Sequence, residues 1–445
     1  MQLRLAALLV VVASGRTFAQ APSDTPPVAP PVTPAPAPAP SGDEPTAADE
    51  RDVFTTPPPP AEAPAASSDS ESPTGAGRLG VYSDSDRTTV IRGLATLAKT
   101  FGRFSISAGA VVDAVTSASV DVRSSPALGK VDVVTSASGR SSTSGGQMSD
   151  TRYLGTVGGG WKDSNGHALN LTSAVATERD YASISGGING SVDVMQRNVT
   201  LLGGVTVTDN WVSSVLDMTL HRKMAAVAWT AGVARVLTPS DAIRLRYDGK
   251  ASEGYQASPY RAVRFGDWST SFGAGGQIMF ANTIGSADGL AELLPESRIS
   301  HAATFEWVHS LRLGLGLHPA VRVSHDSWGI NTVTPSVDLR LVTTNWRMQF
   351  GYRYYRQSRA NFFATKYTAD PSTYDYYTSD KELGSVTGQL GSVDLAKTLI
   401  DASGPNDTKM LLFFHAEMFS YKYPGFALLS ARSSEFFEIG LGWEL

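Results

Sequence analysis

Six arginines carry most of the chemistry that this sequence offers. Arg244, Arg246, Arg312, Arg322, Arg340 and Arg353 all fall on the polar side of segments in which apolar and polar residues alternate, and Asp248, Asp326 and Asp338 share that side. A guanidinium facing lipid near a bilayer midplane costs ~2–4 kcal/mol, so in a membrane barrel these groups must face the lumen or lie beyond the bilayer. Two arrangements follow. Left unpaired, the arginines would form a positively biased constriction that selects small anions. Paired with the aspartates, they would form a ladder of ion pairs filling a narrow or closed barrel. At the level of sequence both stand.

A second group lies nearer the N-terminus. The stretch Val112–Ser119 is repeated almost unchanged at Val131–Ser138. The repeat could gather Asp113, Asp121 and Asp132 with Asp84 and Asp86 at one mouth, where clustered hard oxygens would suit Ca²⁺. The same residue types also satisfy the backbone of solvated turns. No metal or cofactor site is assigned on this pattern. His301, His309, His318, His325 and His415 are scattered, with no nucleophile elbow and no paired-histidine helix motif, so the chain is not expected to be an enzyme. Gly158–Gly160 lacks the Lys-Ser/Thr of a phosphate loop and reads as a strand beside a bulge.

The elements that must position these residues are strands. Phe104, Ile106, Ala108, Ala110 and Val112 alternate with polar or small residues, as do Met348, Phe350, Tyr352 and Tyr354. Leu311–Asp326 reads as one strand that is long for a soluble sheet and suited to a tilted membrane wall. Lys381–Lys397 also fits a helical stripe and is read as a strand. Short connections near residues 100–103, 162–167, 195–198, 237–241 and 342–345 alternate with long ones near 117–147, 211–221, 254–297, 359–380 and 421–432. That asymmetry is expected of outer-membrane barrels. With both termini on the periplasmic side the strand number must be even, which requires a short first strand at Arg78–Ser83. At the other end, Phe437, Ile439, Leu441, Trp443 and Leu445 line one face of a closing strand. Glu438–Leu445 also has the pattern by which barrel-insertion machinery recognises its clients. The fold class is therefore all-β, a single antiparallel transmembrane β-barrel of ~16 strands, with 14 the alternative.

Composition agrees with an exported barrel. Charged residues are 18% of the 445-residue chain, there is no cysteine, and no apolar run approaches the ~20 residues of a membrane helix. Residues 1–19 read as a signal peptide, with Arg4 ahead of an apolar stretch and a small-residue cleavage site at Thr17–Ala19. Residues 20–77 are rich in Pro, Ala, Ser and acid and read as a disordered periplasmic linker. Residues 78–445 form the barrel, whose net charge of about +1 gives nucleic-acid binding no support. The expected partners are outer-membrane lipid, the insertion machinery and small polar solutes.

Several ordered segments carry a resemblance: Val81–Val90, the doubled Val112–Ser119 and Val131–Ser138, Glu253–Arg261, Asp326–Ile330 and Tyr352–Ser358. Together they resemble an uncharacterised Gram-negative outer-membrane family catalogued as a domain of unknown function, number thirty-five-seventy, over roughly residues 78–445. The resemblance implies an outer-membrane barrel and brings no activity, substrate or catalytic residue. The Pro-rich segment and the terminal leucine depart from the usual pattern. From the residues themselves, the leading expectation is passive passage or binding of small polar, anionic solutes in an Arg-lined lumen. The alternative is a non-conducting barrel that acts through its loops.

Overall fold

The computed structural model describes residues 74–119, 123–124, 148–214, 217–273, 277–401 and 408–444. The expected signal peptide, the linker up to residue 73, Asp121, Asp132, the second copy of the repeat and Leu445 lie outside the described residues.

Sixteen antiparallel strands close on themselves. Nine come first: β1 Thr74–Asp84, β2 Thr88–Phe101, β3 Phe104–Ser117, β4 Met148–Lys162, β5 Ala168–Thr177, β6 Tyr181–Val194, β7 Val199–Ser213, β8 His221–Thr238 and β9 Asp241–Gly254. A long connection follows, with four short strands of its own: β10 Ala262–Val263, β11 Ser269–Phe272, β12 Ile278–Ala281 and β13 Leu290–Ala291. The wall resumes with β14 Ser297–Arg312, β15 Leu315–Asp326, β16 Asn331–Val342, β17 Trp346–Gln357, β18 Val386–Ile400, β19 Lys409–Lys422 and β20 Ala431–Glu444. Each wall strand pairs with its neighbour in sequence order, β9 pairs with β14, and β1 pairs with β20.

The two-residue period explains both faces of the wall. Outward positions such as Leu79, Ile91, Leu97, Leu245, Phe305, Phe350 and Ile439 leave large apolar side chains exposed. Inward positions hold Gly, Ala, Ser, Thr and the charged groups, whose small volumes and polar atoms suit a lumen. Short turns cluster at one rim, at residues 102–103, 163–167, 195–198, 239–240, 313–314 and 343–345. The long connections leave from the other rim.

Three expectations need correction. The first strand begins at Thr74, four residues before the boundary at 78. Leu311–Asp326 is not one strand: β14 ends at Arg312, and Leu313-Gly314 turns the chain into β15. Gly314 takes a positive φ of 76°, and a Cβ there would lie 2.4 Å from the Val342 carbonyl oxygen. A two-residue turn alone would swap odd and even positions between the faces, pairing Arg312 with Leu315. The register shifts between Ser310 and Arg312, however, and returns odd positions to the outer face, so the run of leucines crosses the turn with its alternation intact. Finally, Gly158–Gly160 run through β4 in unbroken register with both neighbours, with no bulge.

The seam between β1 and β20 follows the expected closure, with Arg78 opposite Gly440 and Tyr82 opposite Phe436. Gly440 has a physical role there. A Cβ on it would meet Arg78 Cγ at 2.5 Å, so its absence lets Arg78 lie across the strand and donate to Glu438 Oε1 at 2.9 Å.

Candidate functional site

The charged lumen is built from register. Arg244 and Glu306 are cross-strand partners on β9 and β14, and the guanidinium donates to Glu306 Oε2 at 2.9 Å. Arg246 donates to Asp248 Oδ2 at 3.0 Å on its own strand. Arg322, on β15, donates to the same oxygen at 2.7 Å. Thr230 on β8 closes the group by donating to Asp248 Oδ1 at 2.8 Å. Arg340 lies 3.8 Å from Asp338, a looser pair. Arg353 faces the lumen half-buried and makes no ion pair within 4.0 Å among the described residues. Arg312 is set apart, exposed at the last position before the turn. The structure thus brings five of the six expected arginines into the lumen and converts three of them, Arg244, Arg246 and Arg322, into close ion pairs. The ion-pair ladder prevails over the open arginine wall along most of its length.

Sequence reasoning missed the rest of the ladder. Arg92 pairs with Asp113 at 2.8 Å, Arg78 with Glu438 at 2.9 Å, Arg298 with Asp326 at 2.6 Å and Arg152 with Glu178 at 3.5 Å. His415 meets Asp394 at 2.6 Å and Glu417 at 3.4 Å. Inward parity alone would have flagged Arg92 and Asp113, but their partnership needed the strand register. These pairs also answer the idea of a cation among Asp84, Asp86 and Asp113. Asp113 is taken by Arg92, Asp84 accepts from Thr88 N and Tyr82 OH, and Asp86 lies 3.8 Å from Arg123.

The lumen is not uniform along its axis. On β2 the inward Thr88, Val90, Arg92 and Leu94 are buried, whereas Thr96, Ala98 and Thr100, nearer the short turns, are half-buried. On β16 the inward Thr332 and Thr334 are buried, whereas Ser336, Asp338 and Arg340 are half-buried. The inner wall is therefore covered toward the long loops and open toward the short turns. At the short-turn rim of this part, a cavity of about 190 Å³ is lined by the inward His318 and Arg340 and by Asp241 and His309, a cross-strand pair that shares the outward parity of Leu245 and Phe305. Among the described residues, Nε of Arg340 and Nδ1 of His318, which line it, and Nε of Arg244, whose charge acts on His318, are buried without hydrogen-bond partners.

What covers the other half is a folded cap. Phe265 and Tyr367, from the connections after β9 and β17, stack at 5.5 Å between ring centroids and are buried with Val263. Leu294, Trp328, Ile330, Ala360, Phe363 and Leu383 form a second apolar cluster drawn from three connections. Arg261 ties them electrostatically, donating to Glu292 Oε1 at 3.3 Å and Asp380 Oδ2 at 2.7 Å with both carboxylates fully buried. Gln357 at the end of β17 donates to the Glu382 and Gly384 carbonyls at 2.6 and 2.9 Å, which fixes the cap to the wall. Arg264 donates to the Ser124 carbonyl at 2.6 Å, and Tyr260 donates to the Asp180 carboxylate. Connections that leave the ring after β3, β5, β9 and β17 thus meet over one mouth. Burial pushes the Arg264 guanidinium down to about 10, although Asp288 works against the change. It lies flat over Phe280 at 3.8 Å.

Comparison with solved structures finds only weak likeness. A bacterial polysaccharide outer membrane secretin aligns with 8% identity and a TM-score of 0.43, covering 83% of this chain and 98% of that one. A ferric enterobactin receptor mutant from Pseudomonas aeruginosa aligns with 11% identity and a TM-score of 0.38, covering 79% of this chain and 53% of the receptor. The Pseudomonas putida toluene transporter TodX aligns with 7% identity and a TM-score of 0.34, covering 84% and 89%. At this level of likeness none of them carries an argument about cargo. No curated protein matches the chain. One family does, over residues 59–228 and 219–406, and the chain belongs to it: the family described as a protein of unknown function (DUF3570).

Proposed function

We propose that this chain is an outer-membrane barrel whose lumen is a vestibule open to the periplasm, closed outward by its cap, and suited to binding small anionic solutes. The short-turn rim, with both ends of the wall, would face the periplasm, and the cap would face the exterior. The exposed apolar outer wall supports residence in lipid, since Leu79, Leu245 and Ile439 have no other apolar phase to meet. The final strand, Ala431–Glu444, would present the signal read by the insertion machinery. No catalytic step belongs to this reading.

The observation that carries it is the burial gradient of the inner wall, with the orphaned donors of Arg244, Arg340 and His318 in the open half. A carboxylate or phosphate would satisfy donors that the protein leaves empty. Passage then requires the cap to move. Planar-bilayer recordings of the full chain should show little conductance, rising in Arg261→Ala, with anion preference reduced in Arg340→Ala and Arg353→Ala. Large wild-type conductance would overturn the closed vestibule. Silence in every variant, with no anion binding by calorimetry, would favour the second reading. In that reading the barrel is non-conducting and works through its cap, which is supported by the cap's own folded core.

A further inference from the structure

A separate cluster lies at the opposite, long-loop rim. Asp150 stands near the start of β4, and Glu178 and Asp180 flank the tight connection between β5 and β6. The register Tyr153↔Thr177, continued outward, brings residue 150 opposite residue 180. One carboxylate oxygen from each of Asp150, Glu178 and Asp180 lies within 4.8 Å of the others. Three carboxylates at that spacing repel one another, and the guanidinium beside them is Arg152, at 3.5 Å from Glu178 Oε1.

The second observation concerns the other Glu178 oxygen. The side chain is only 3% exposed, and Oε2 is sealed from solvent with no hydrogen-bond partner among the described residues. A buried carboxylate oxygen without a donor is costly, and an absent ligand is one of the few remedies. We propose that Asp150, Glu178 and Asp180 form a divalent-cation site for Ca²⁺, filled from outside the cell. Three carboxylates can supply up to six hard oxygens, within the six to eight that Ca²⁺ takes. Asp180 also accepts the hydroxyl of Tyr260 from the connection after β9. The ion therefore sits under a cap contact and braces cap against wall. Burial pushes the Glu178 carboxyl up to about 8, with Arg152 working against the rise and Asp180 and Asp150 adding to it.

The test uses the full chain refolded in detergent micelles at pH 7, titrated with Ca²⁺ up to ~10 mM, well above the ~1 mM dissociation constants of weak extracellular sites. Ca²⁺ is expected to raise the thermal midpoint, to release protons in calorimetry and to slow protease cleavage in the cap. Glu178→Gln should abolish the Ca²⁺-dependent shift while leaving the metal-free midpoint equal or higher, an outcome that a merely structural acid would not give. No shift and no heat in the wild-type chain would overturn the proposal, as would an undiminished shift in both Glu178→Gln and Asp150→Asn. If Glu178→Gln fails to fold, Asp150→Asn decides: a shift lost in that variant supports the site, and an undiminished one overturns it.

Discussion

Arg322 on β15 reaches past β14 to place its guanidinium 2.7 Å from Asp248 on β9. One carboxylate there serves two guanidiniums and a threonine hydroxyl, across four strands. Such a hub fixes side chains that would otherwise sweep the lumen.

Asp248→Asn should strand two partly buried guanidiniums. The expected loss is about 1–3 kcal/mol, less than the ~3–5 kcal/mol of a fully sealed pair because Asp248 retains some exposure. Urea unfolding in lipid vesicles measures it. The double variant Asp248→Asn/Arg322→Met should recover part of the loss, and strict additivity would mean that the two residues are not coupled.

Arg261→Ala leaves Glu292 and Asp380 buried with no guanidinium between them. The wall should persist, since its ladders do not use this contact. Circular dichroism is expected to be unchanged while proteolysis within residues 255–296 and 358–385 accelerates at least tenfold, which corresponds to more than ~1.4 kcal/mol of local opening. Cleavage at the wild-type rate would show that the apolar clusters hold the cap by themselves.

The Glu178 carboxyl sets the sign of a pH dependence. Its folded value of about 8 lies above the ordinary carboxyl value of 4.5 from which burial raises it. The folded chain therefore binds the extra proton between those values, and the associated stability is full below 4.5 and is lost as pH rises through 8. Without divalent cations the thermal midpoint should fall across that window, and Glu178→Gln should flatten the fall. A midpoint that climbs with pH in both proteins would refute this assignment.

The two faces of the wall should answer oppositely to charge. Leu245→Lys puts an ammonium on the exposed apolar face near the middle of β9 and should cost ~2–4 kcal/mol of stability in bilayers. Ser185→Lys, on the inward face of β6, should cost less than ~1 kcal/mol. Equal penalties would contradict the assignment of faces.

Much of the wall was legible because parity is local. Phe350 and Tyr352 declare an outer face within five residues, and the even strand count followed from where the ends must lie. What stayed hidden depends on register or on contacts between distant loops. Arg92 and Asp113 are 21 residues apart, Arg322 and Asp248 74, and Arg261 and Asp380 119. No spacing rule links them. The turn at Leu313-Gly314 was masked for the opposite reason, because the register shift between Ser310 and Arg312 cancels the parity change of its two residues and leaves the alternation intact. The cap escaped notice because long polar connections give no sign that Phe265, Trp328 and Leu383 will be buried together.

The seam has a consequence for the order of events in biogenesis. Arg78 and Glu438 are 360 residues apart, and their strands are the two edges of the sheet until they meet. Every other wall pairing joins neighbours in sequence order, so hairpins can form as their residues emerge. The last ladder cannot, and until it does the growing sheet carries two unpaired edges able to template aggregation. Shielding both edges until β1 meets β20 is thus a kinetic requirement written into the two ends of the wall.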